Sequence, residues 1–473
     1  MMPRPLILVT AAVVLISALL LQDGAVVRAA LQGAFEVSFT PGERDAASRM
    51  MGGTEMRILA AHAGKLYAGN GYWEDWPGPE GLQGAEILVL DRPAAHWRVE
   101  HAFDEQLPDS RRRDLAVSAL AEITFASDGN SAPLPAPVSM LVAANWDLSG
   151  MARVFSRDDM TGAWTAATLA QDRPTPNFLP QVRSFGFHRD RVTEIDRVFA
   201  GQDPRGVFSG TYDPRVPGIR WGAAPELDLS SVSAVGISGR NGYLRVSSFA
   251  ECNGRLYAAV GQHIYERIDG AEPRWRLLYT NPYPGHSETG LRGLTAIPAP
   301  SGPDKVLLAA VEGNAGRIVR VDPRDGSETT EIDLPDFLRQ NWGMPASYVI
   351  AAYNDMASIP DPAGGKALLI GLEAFIPLRA EVAAGHGVIT VGYGRLEAGG
   401  WYLVRRVNGH YDLRQIAPSD RALVATRSIR VSPFSEDRDA VYFAGYDANK
   451  APAHNTAWIY RTSFAAAIGA SRY

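Results

Sequence analysis

The chain has 473 residues, a formal net charge of −6 at pH 7 and an isoelectric point near 5.9. This acidic balance argues against a nucleic-acid partner, which requires a basic surface. The single cysteine, Cys252, excludes an intrachain disulfide, and a chain of this length can bury a core that needs none.

The first thirty residues have the pattern of an export segment. Arg4 precedes a mostly apolar run from Leu6 to Leu21, and Val27-Arg28-Ala29 offers small residues at the spacing that signal peptidase reads. The run is somewhat short for a membrane-spanning helix. We therefore predict that residues 1–30 are a signal peptide or, alternatively, an uncleaved N-terminal membrane anchor. Either interpretation places the rest of the chain in the periplasm or outside the cell.

A short apolar strand ending in Ala or Gly recurs seven times, at intervals of about 50 to 75 residues. The copies begin at Leu66, Leu141, Val198, Leu256, Leu307, Leu368 and Tyr442. Each repeat divides into four short strands with period-2 alternation. In the fourth repeat the turns are Asn253-Gly254 and Asp269-Gly270, the dipeptides that tight hairpins favour. This pattern predicts an all-β fold built of seven four-stranded repeats.

The last repeat provides only three strands before the sequence stops. The segment from Gly33 to Phe39 alternates clearly and precedes the first repeat, so it could complete the last one and close the ring. We predict that residues 31–473 form one domain. The architecture resembles the seven-bladed β-propeller superfamily through its repeat and closure. The segment from Ser156 to Trp164 also looks like the Asp-box turn of sialidases, although it has an extra residue and occurs once.

Alignment of the first strands gives a polar column, in which four of seven residues are arginine. Its members are Arg57, Ser118, Arg183, Ser247, Arg292, Asn354 and Arg427. The residues just past the second strands give a second column, in which four of seven are acidic: Gly71, Trp146, Asp203, Gly261, Glu312, Glu373 and Asp447. The start of the first strand and the end of the second are neighbours in a hairpin. Both columns are therefore predicted at one face, at the mouth of the central channel.

Two interpretations of these columns remain open. Each Arg could pair with a carboxylate and tie the ring together, as buried charges require. Alternatively, some Arg groups could hold an anionic ligand through their fork of N–H donors. The predicted ligand contacts are Arg57, Arg183, Arg292 and Arg427, with Asn70, Asn145 and Gln202 as polar neighbours.

Motifs for catalysis are few. The sequence has no His-Glu-x-x-His zinc motif, no phosphate-binding loop and no Gly-x-Ser-x-Gly elbow. The candidates for acid–base chemistry are Asp203, Glu312, Glu373 and His286. His62 and His188 fall near hairpin turns on the opposite face, where we expect exposed polar residues. We predict neither a metal site nor a cofactor.

Three functions follow from this pattern. The first is recognition of an anionic small molecule or saccharide at the channel mouth. The second is a carbohydrate-active enzyme of glycoside hydrolase or polysaccharide lyase type that uses the channel-mouth carboxylates or His286. The third is a scaffold that binds a protein partner through loops such as the one from Trp73 to Trp76. The sequence leaves open whether the protein is an enzyme.

Overall fold

The computed structural model describes residues 34–72, 84–103, 105, 107, 113–173, 180–216, 218–230, 245–282, 290–377, 395–416, 423–446 and 456–469. The N-terminal segment 1–30, the loop 73–76, His286 and Asp447 therefore lie outside the described residues. So does most of an insertion that the sequence places in the sixth repeat, from Ala380 to Arg395. The described chain is all-β, with two short α-helices.

Consecutive strands pair antiparallel in groups, which we number units 1 to 7. Unit 1 contains β2 (Glu55–His62), β3 (Lys65–Gly71), β4 (Glu86–Leu90) and β5 (Arg98–Ala102). Unit 2 contains β6 (Asp114–Ser127), β7 (Pro133–Asp147), β8 (Met151–Arg157) and β9 (Trp164–Gln171). Unit 3 contains β10 (Gln181–Arg189), β11 (Asp196–Asp203), β12 (Gly206–Tyr212), β13 (Ile219–Trp221) and β14 (Leu227–Asp228).

Units 4 and 5 are the most regular. Unit 4 contains β15 (Val246–Cys252), β16 (Arg255–Val260), β17 (His263–Ile268) and β18 (Arg274–Thr280). Unit 5 contains β19 (Gly290–Pro298), β20 (Lys305–Glu312), β21 (Arg317–Val321) and β22 (Glu328–Asp333). Helix α1 (Leu334–Trp342) follows. Asp333 caps its first turn by accepting from the Asp336 amide, and Gly343 ends it with a φ of 70°.

Units 6 and 7 complete the chain. Unit 6 contains β23 (Tyr348–Pro360), β24 (Lys366–Ile376), β25 (Arg395–Leu396), β26 (Trp401–Arg405) and β27 (Tyr411–Gln415). Unit 7 contains β28 (Ala425–Val431), β29 (Ala440–Tyr446) and β30 (Trp458–Ser463). A 3₁₀ turn (Ser435–Asp437) lies within unit 7 and α2 (Phe464–Ile468) follows it. Strand β1 (Glu36–Phe39) pairs antiparallel with β30, with Glu36 opposite Arg461.

The core lies between consecutive units, where apolar faces of neighbouring sheets meet. Phe39 of β1, for example, packs in one buried cluster with Trp97 of unit 1 and with Tyr442 and Ile459 of unit 7. Polar side chains also join units. The hydroxyl of Ser118 donates to the carbonyl of Val182, 2.6 Å away in the next unit. Equivalent bonds bring the first strands of neighbouring units together, and this arrangement places the site described below.

Candidate functional site

The first strand of each unit has a β-bulge where it pairs with the second strand. The register skips one residue at Arg57, Ser118, Arg183, Ser247, Arg292 and Arg427; in unit 6 the irregularity spans Ala351 to Met356 and so includes Asn354. A bulge releases a residue from the ladder and re-aims its side chain. The polar column that the sequence predicts is therefore the set of bulged residues, apart from Asn354, whose side chain is outside the description.

Three of the four predicted arginines line one cavity of about 150 Å³. Arg57, Arg183 and Arg427 contribute to its wall together with Tyr353, and first-strand residues of units 1, 2, 3, 4 and 7 line the rest. Arg292 lies beside this cavity, with its guanidinium carbon 4.7 Å from the centre of the Tyr353 ring. Three members of the arginine column thus converge on one small cavity where the first strands meet.

Each of these arginines is paired with a buried carboxylate. Arg183 Nε donates to Asp203 Oδ2 at 2.8 Å, and Arg292 Nε donates to Glu312 Oε2. Arg245 also contacts Glu312, with 2.7 Å between Nη1 and Oε1. Such pairs are needed because an isolated charge in this interior would be strongly unfavourable. The pairing interpretation of the two columns therefore describes what these residues do in the structure.

Glu55 is a member of this cluster that the sequence columns miss. Its Oε1 accepts from Arg57 Nη1 at 3.0 Å, and its Oε2 lies 3.1 Å from Arg427 Nη2. Glu373 lies 3.9 Å from the same Arg427 nitrogen and also accepts from the Tyr446 hydroxyl. Glu55 stands at the start of its strand instead of after the second strand, so an alignment on strand ends does not find it.

Tyr353 is the other residue that the columns miss. Its ring lies between two guanidinium groups, with the Arg427 carbon 3.6 Å and the Arg292 carbon 4.7 Å from the ring centre. Burial alone would raise the pKa of the Tyr353 phenol, but the charges of Arg427 and Arg292 outweigh burial and lower it. Tyr353 also lines the cavity.

The charged groups of this cluster are arginines and carboxylates in similar numbers. The described ion pairs join five arginines (Arg57, Arg183, Arg245, Arg292 and Arg427) to four carboxylates (Glu55, Asp203, Glu312 and Glu373), and Arg430 contributes a further guanidinium to the cavity wall. Burial raises the pKa of Asp203 and that of Glu373, although Arg183 and Arg427 oppose this. Any protonation of these two acids would make the cluster more positive.

The predicted polar neighbours lie within their own units. Asn70 donates to the carbonyl of Gly52 at 3.0 Å and to Glu86 Oε2 at 2.8 Å. Asn145 donates to Asp114, and Gln202 Nε2 donates to the carbonyl of Asp203 at 2.7 Å. All three side chains are buried, and none is part of the wall of the arginine cavity. Their positions make them supports of the strand ends beside the cavity.

The acid–base candidates that the sequence predicts form ion pairs with the arginines. Asp203, Glu312 and Glu373 are buried and ion-paired, and none belongs to the cavity wall. His286 is outside the described residues. In the part of the chain that the structure describes, no three His, Cys, Asp or Glu side chains are grouped so as to hold a metal ion. Neither described α-helix is long and apolar enough to cross a membrane.

The expectation that His62 and His188 are exposed is wrong. Both are buried, at 2% and 1% exposure. His62 Nδ1 lies 2.7 Å from Glu122 and its Nε2 lies 2.9 Å from Asp159, both in unit 2. His188 contacts Glu251 and Asp269 of unit 4 in the same way. The end of the first strand is covered by the next unit, which a hairpin considered by itself does not reveal.

Known proteins offer only distant comparisons. The sequence matches no protein-family model and no curated protein. Among solved structures, Trypanosoma rangeli sialidase is 10% identical, with a TM-score of 0.41 over 92% of this chain and 59% of the sialidase chain. The Dos1 propeller is 12% identical, with a TM-score of 0.41 over 90% of this chain and 94% of its own.

A mutant of the Aleuria aurantia lectin in complex with Fucalpha1-6GlcNAc is 10% identical, with a TM-score of 0.35 over 77% of this chain and 96% of the lectin. The chain spans less than two thirds of the sialidase chains. One of these similar structures is named a propeller, and the chain described here is all-β with antiparallel sheets. At these TM-scores, the strand pairings remain the basis for describing the fold.

Proposed function

We propose that this protein is an exported seven-bladed β-propeller, closed by strand β1, that recognises a small anion at the mouth of its central channel. The observation that supports this most directly is the convergence of Arg57, Arg183, Arg427 and Tyr353 on one cavity. A closed ring is supported by β1, which pairs with unit 7 while Phe39 packs against both unit 7 and unit 1.

Paired arginines can still bind a ligand, because a guanidinium has five N–H donors and a carboxylate engages only part of them. Arg57, for example, uses Nη1 for Glu55. Its guanidinium carbon also lies 5.6 Å from the centre of the Trp146 ring, which limits the directions that the group can take. The carboxylates thus hold the arginines in fixed orientations, and an incoming anion would meet donors that need no rearrangement.

An enzyme of glycoside hydrolase or polysaccharide lyase type is supported less well. Such chemistry requires carboxyl groups that reach the substrate. Asp203, Glu312 and Glu373 instead face arginines, and none lines the cavity. The third candidate, a protein-binding scaffold, rests on the loop 73–76 outside the described residues. Binding of an anion is the function that the described side chains support best.

The test is a thermal-shift screen of residues 31–473 against uronates, sialic acid, phosphorylated sugars and dicarboxylates. A ligand at a hundred times its dissociation constant should stabilise the protein by about 2.7 kcal/mol. We expect Arg57→Gln to abolish this shift. Arg153→Gln is the matched control, because Arg153 has the same 8% side-chain exposure and pairs with Asp114 and Asp147 away from the cavity. A panel without any stabilising anion would contradict the proposal.

Export is tested separately by fractionation of cells that produce the whole chain with a C-terminal tag. We expect the tagged protein in the periplasm or the medium, or in the membrane fraction if residues 1–30 remain attached. Recovery in the cytosol with residues 1–30 intact would contradict export and leave the proposed anion site unaffected.

A further inference from the structure

The cavity that the arginines line also has an apolar part. Ile58, Leu120, Phe185 and Phe249 line it, and Ala121 contributes a small side chain. Ile58, Phe185 and Phe249 are only half-buried although they lie on first strands in the interior of the molecule, so part of their surface faces this space. Along the first strands these apolar residues follow the bulged positions, and we call them the lower layer of the cavity.

The serines in the same wall are bonded to neighbouring strands. Ser118 donates to the carbonyl of Val182 at 2.6 Å, and Ser184 donates to the carbonyl of Val246 at 2.7 Å. Ser248 accepts from the amide of Leu294 at 3.2 Å, and Ser428 accepts from the amide of Leu59 at 3.1 Å. Their polar atoms serve the backbone of the adjoining unit, so they do little to make the lower layer polar.

The position of Phe249 is built into the fold. A Cβ on Gly186 would lie 2.6 Å from Cγ of the Phe249 ring, so only glycine lets the ring rest there. The centre of the Phe199 ring lies 6.3 Å away on another side. At the far end of the cavity, Arg430 Nε donates to the carbonyl of Leu59 at 3.1 Å. The hydrophobic layer is thus preformed and bounded by a guanidinium at each end.

We propose that the anion recognised here is a small aromatic carboxylate, with its carboxylate at the arginine layer and its ring against Phe185, Phe249, Ile58 and Leu120. This deepens the proposed function and rests on it. The volume fits, because a cavity of about 150 Å³ can hold a benzene ring, and here that volume includes the space beside the arginines where the carboxylate would lie. A sugar acid would instead place several hydroxyl groups against side chains that cannot bond them, which is unfavourable.

The experiment compares benzoate, glucuronate and acetate by titration calorimetry on residues 31–473. We expect benzoate to bind at least tenfold more tightly than glucuronate or acetate, since it alone supplies both the charge and the apolar ring. Glucuronate binding as tightly as benzoate would overturn this inference while leaving the proposed function in place. If none of the three binds, and the wider anion panel also fails, both proposals are wrong.

Two variants test the lower layer. Ala121→Leu adds an apolar side chain to the cavity without removing any contact, so it should weaken benzoate binding at least tenfold and leave acetate binding within twofold. Phe249→Leu keeps the layer apolar but removes the ring, and should weaken benzoate several-fold. Circular dichroism and the unfolding midpoint show whether each variant is folded. Unchanged benzoate affinity in a folded Ala121→Leu protein would overturn the inference.

Discussion

His62 in β2 and His188 in β10 occupy the same place in unit 1 and unit 3, each five residues after the bulged arginine of its strand. Each imidazole bridges two carboxylates of the following unit, one from the first strand and one from the turn after the third. Because both nitrogens of each ring are engaged, the two histidines act as side-chain clamps between neighbouring sheets.

Removal of one clamp should destabilise the fold. His188→Leu leaves Asp269, which is buried, without one of its partners, and we expect a loss of about 1–3 kcal/mol in the free energy of unfolding. His410→Leu is the control, because that side chain is 66% exposed and its contact in the described part of the chain is with Asp412, at 3.5 Å. Urea unfolding monitored by fluorescence measures both. Equal midpoints for His188→Leu and the natural protein would contradict the clamp.

Removal of the Arg267 charge should destabilise the protein strongly. Arg267 is fully buried and contacts Asp190, Glu226 and Asp269 at 2.6–2.8 Å. Arg267→Met should cost about 3–5 kcal/mol, because it leaves buried carboxylates uncompensated. Arg324 is exposed and pairs with Asp322 at the surface, so Arg324→Met should change stability by about 0.5 kcal/mol or less. A small effect in both variants would show that Arg267 is dispensable.

The same cluster predicts a loss of stability in acid. Burial alone would raise the pKa of Asp190, but the amide of Thr193 and the Arg267 guanidinium outweigh burial and lower it. A carboxyl whose pKa is lower when folded stabilises the protein above its unfolded pKa of about 3.9 and loses that contribution as the pH falls further. The urea concentration at the unfolding midpoint should therefore decrease as the pH is lowered below 4. This decrease should be less steep in Arg267→Met. Parallel curves for the two proteins would contradict this.

Glu86 should change the pH dependence of stability in the opposite direction, with stability lost as the pH rises. Its burial raises its pKa to about 7, despite hydrogen bonds from Asn70. A carboxyl whose pKa is higher when folded contributes stability that is present below about pH 4.5 and is lost as the pH rises to about 7. Glu86→Gln should therefore be more stable than the natural protein at pH 8, by roughly 3 kcal/mol. Glu436→Gln, at an exposed site, should follow the natural protein at every pH.

Substitution of Phe39 tests whether packing of β1 stabilises the proposed closure between unit 7 and unit 1. The Phe39 side chain is 2% exposed and packs near Trp97, with 6.3 Å between ring centres, while Val37 in the same strand is 52% exposed. Phe39→Ala should cost about 3–5 kcal/mol and Val37→Ala less than about 0.5 kcal/mol. Thermal unfolding compares the two. Equal melting temperatures would indicate that β1 contributes pairing without packing, and the proposed closure would lose its main support.

The sequence predicted the all-β strand repeat and the arginine column because both repeat at a fixed place. Seven polar residues in otherwise apolar first strands could be aligned without any knowledge of the bulges. Helix α1 was not expected, although Asp333 and Gly343 are ordinary capping residues. Among the connections that the structure describes it occurs in one, so the repeat gave no second copy with which to recognise it.

Contacts between units were harder to foresee. Tyr353 was missed because an aromatic residue in a first strand is typical of a core, and only the fold places it between Arg292 and Arg427. The two buried histidines were missed because their partners lie in a different unit. Glu55 likewise pairs with Arg427 of another unit as well as with Arg57 of its own strand. Pairing between units depends on the angle between neighbouring sheets, which no local pattern encodes.

The bulges have a consequence for protein design. Each takes one side chain out of the ladder, so strand pairing does not depend on what that side chain is. Arginine stands at four of these places and serine at two. The bulged positions are in this sense exchangeable on a constant frame, provided that an arginine is replaced together with the carboxylate with which it pairs, because a carboxylate left alone in this interior would be strongly unfavourable.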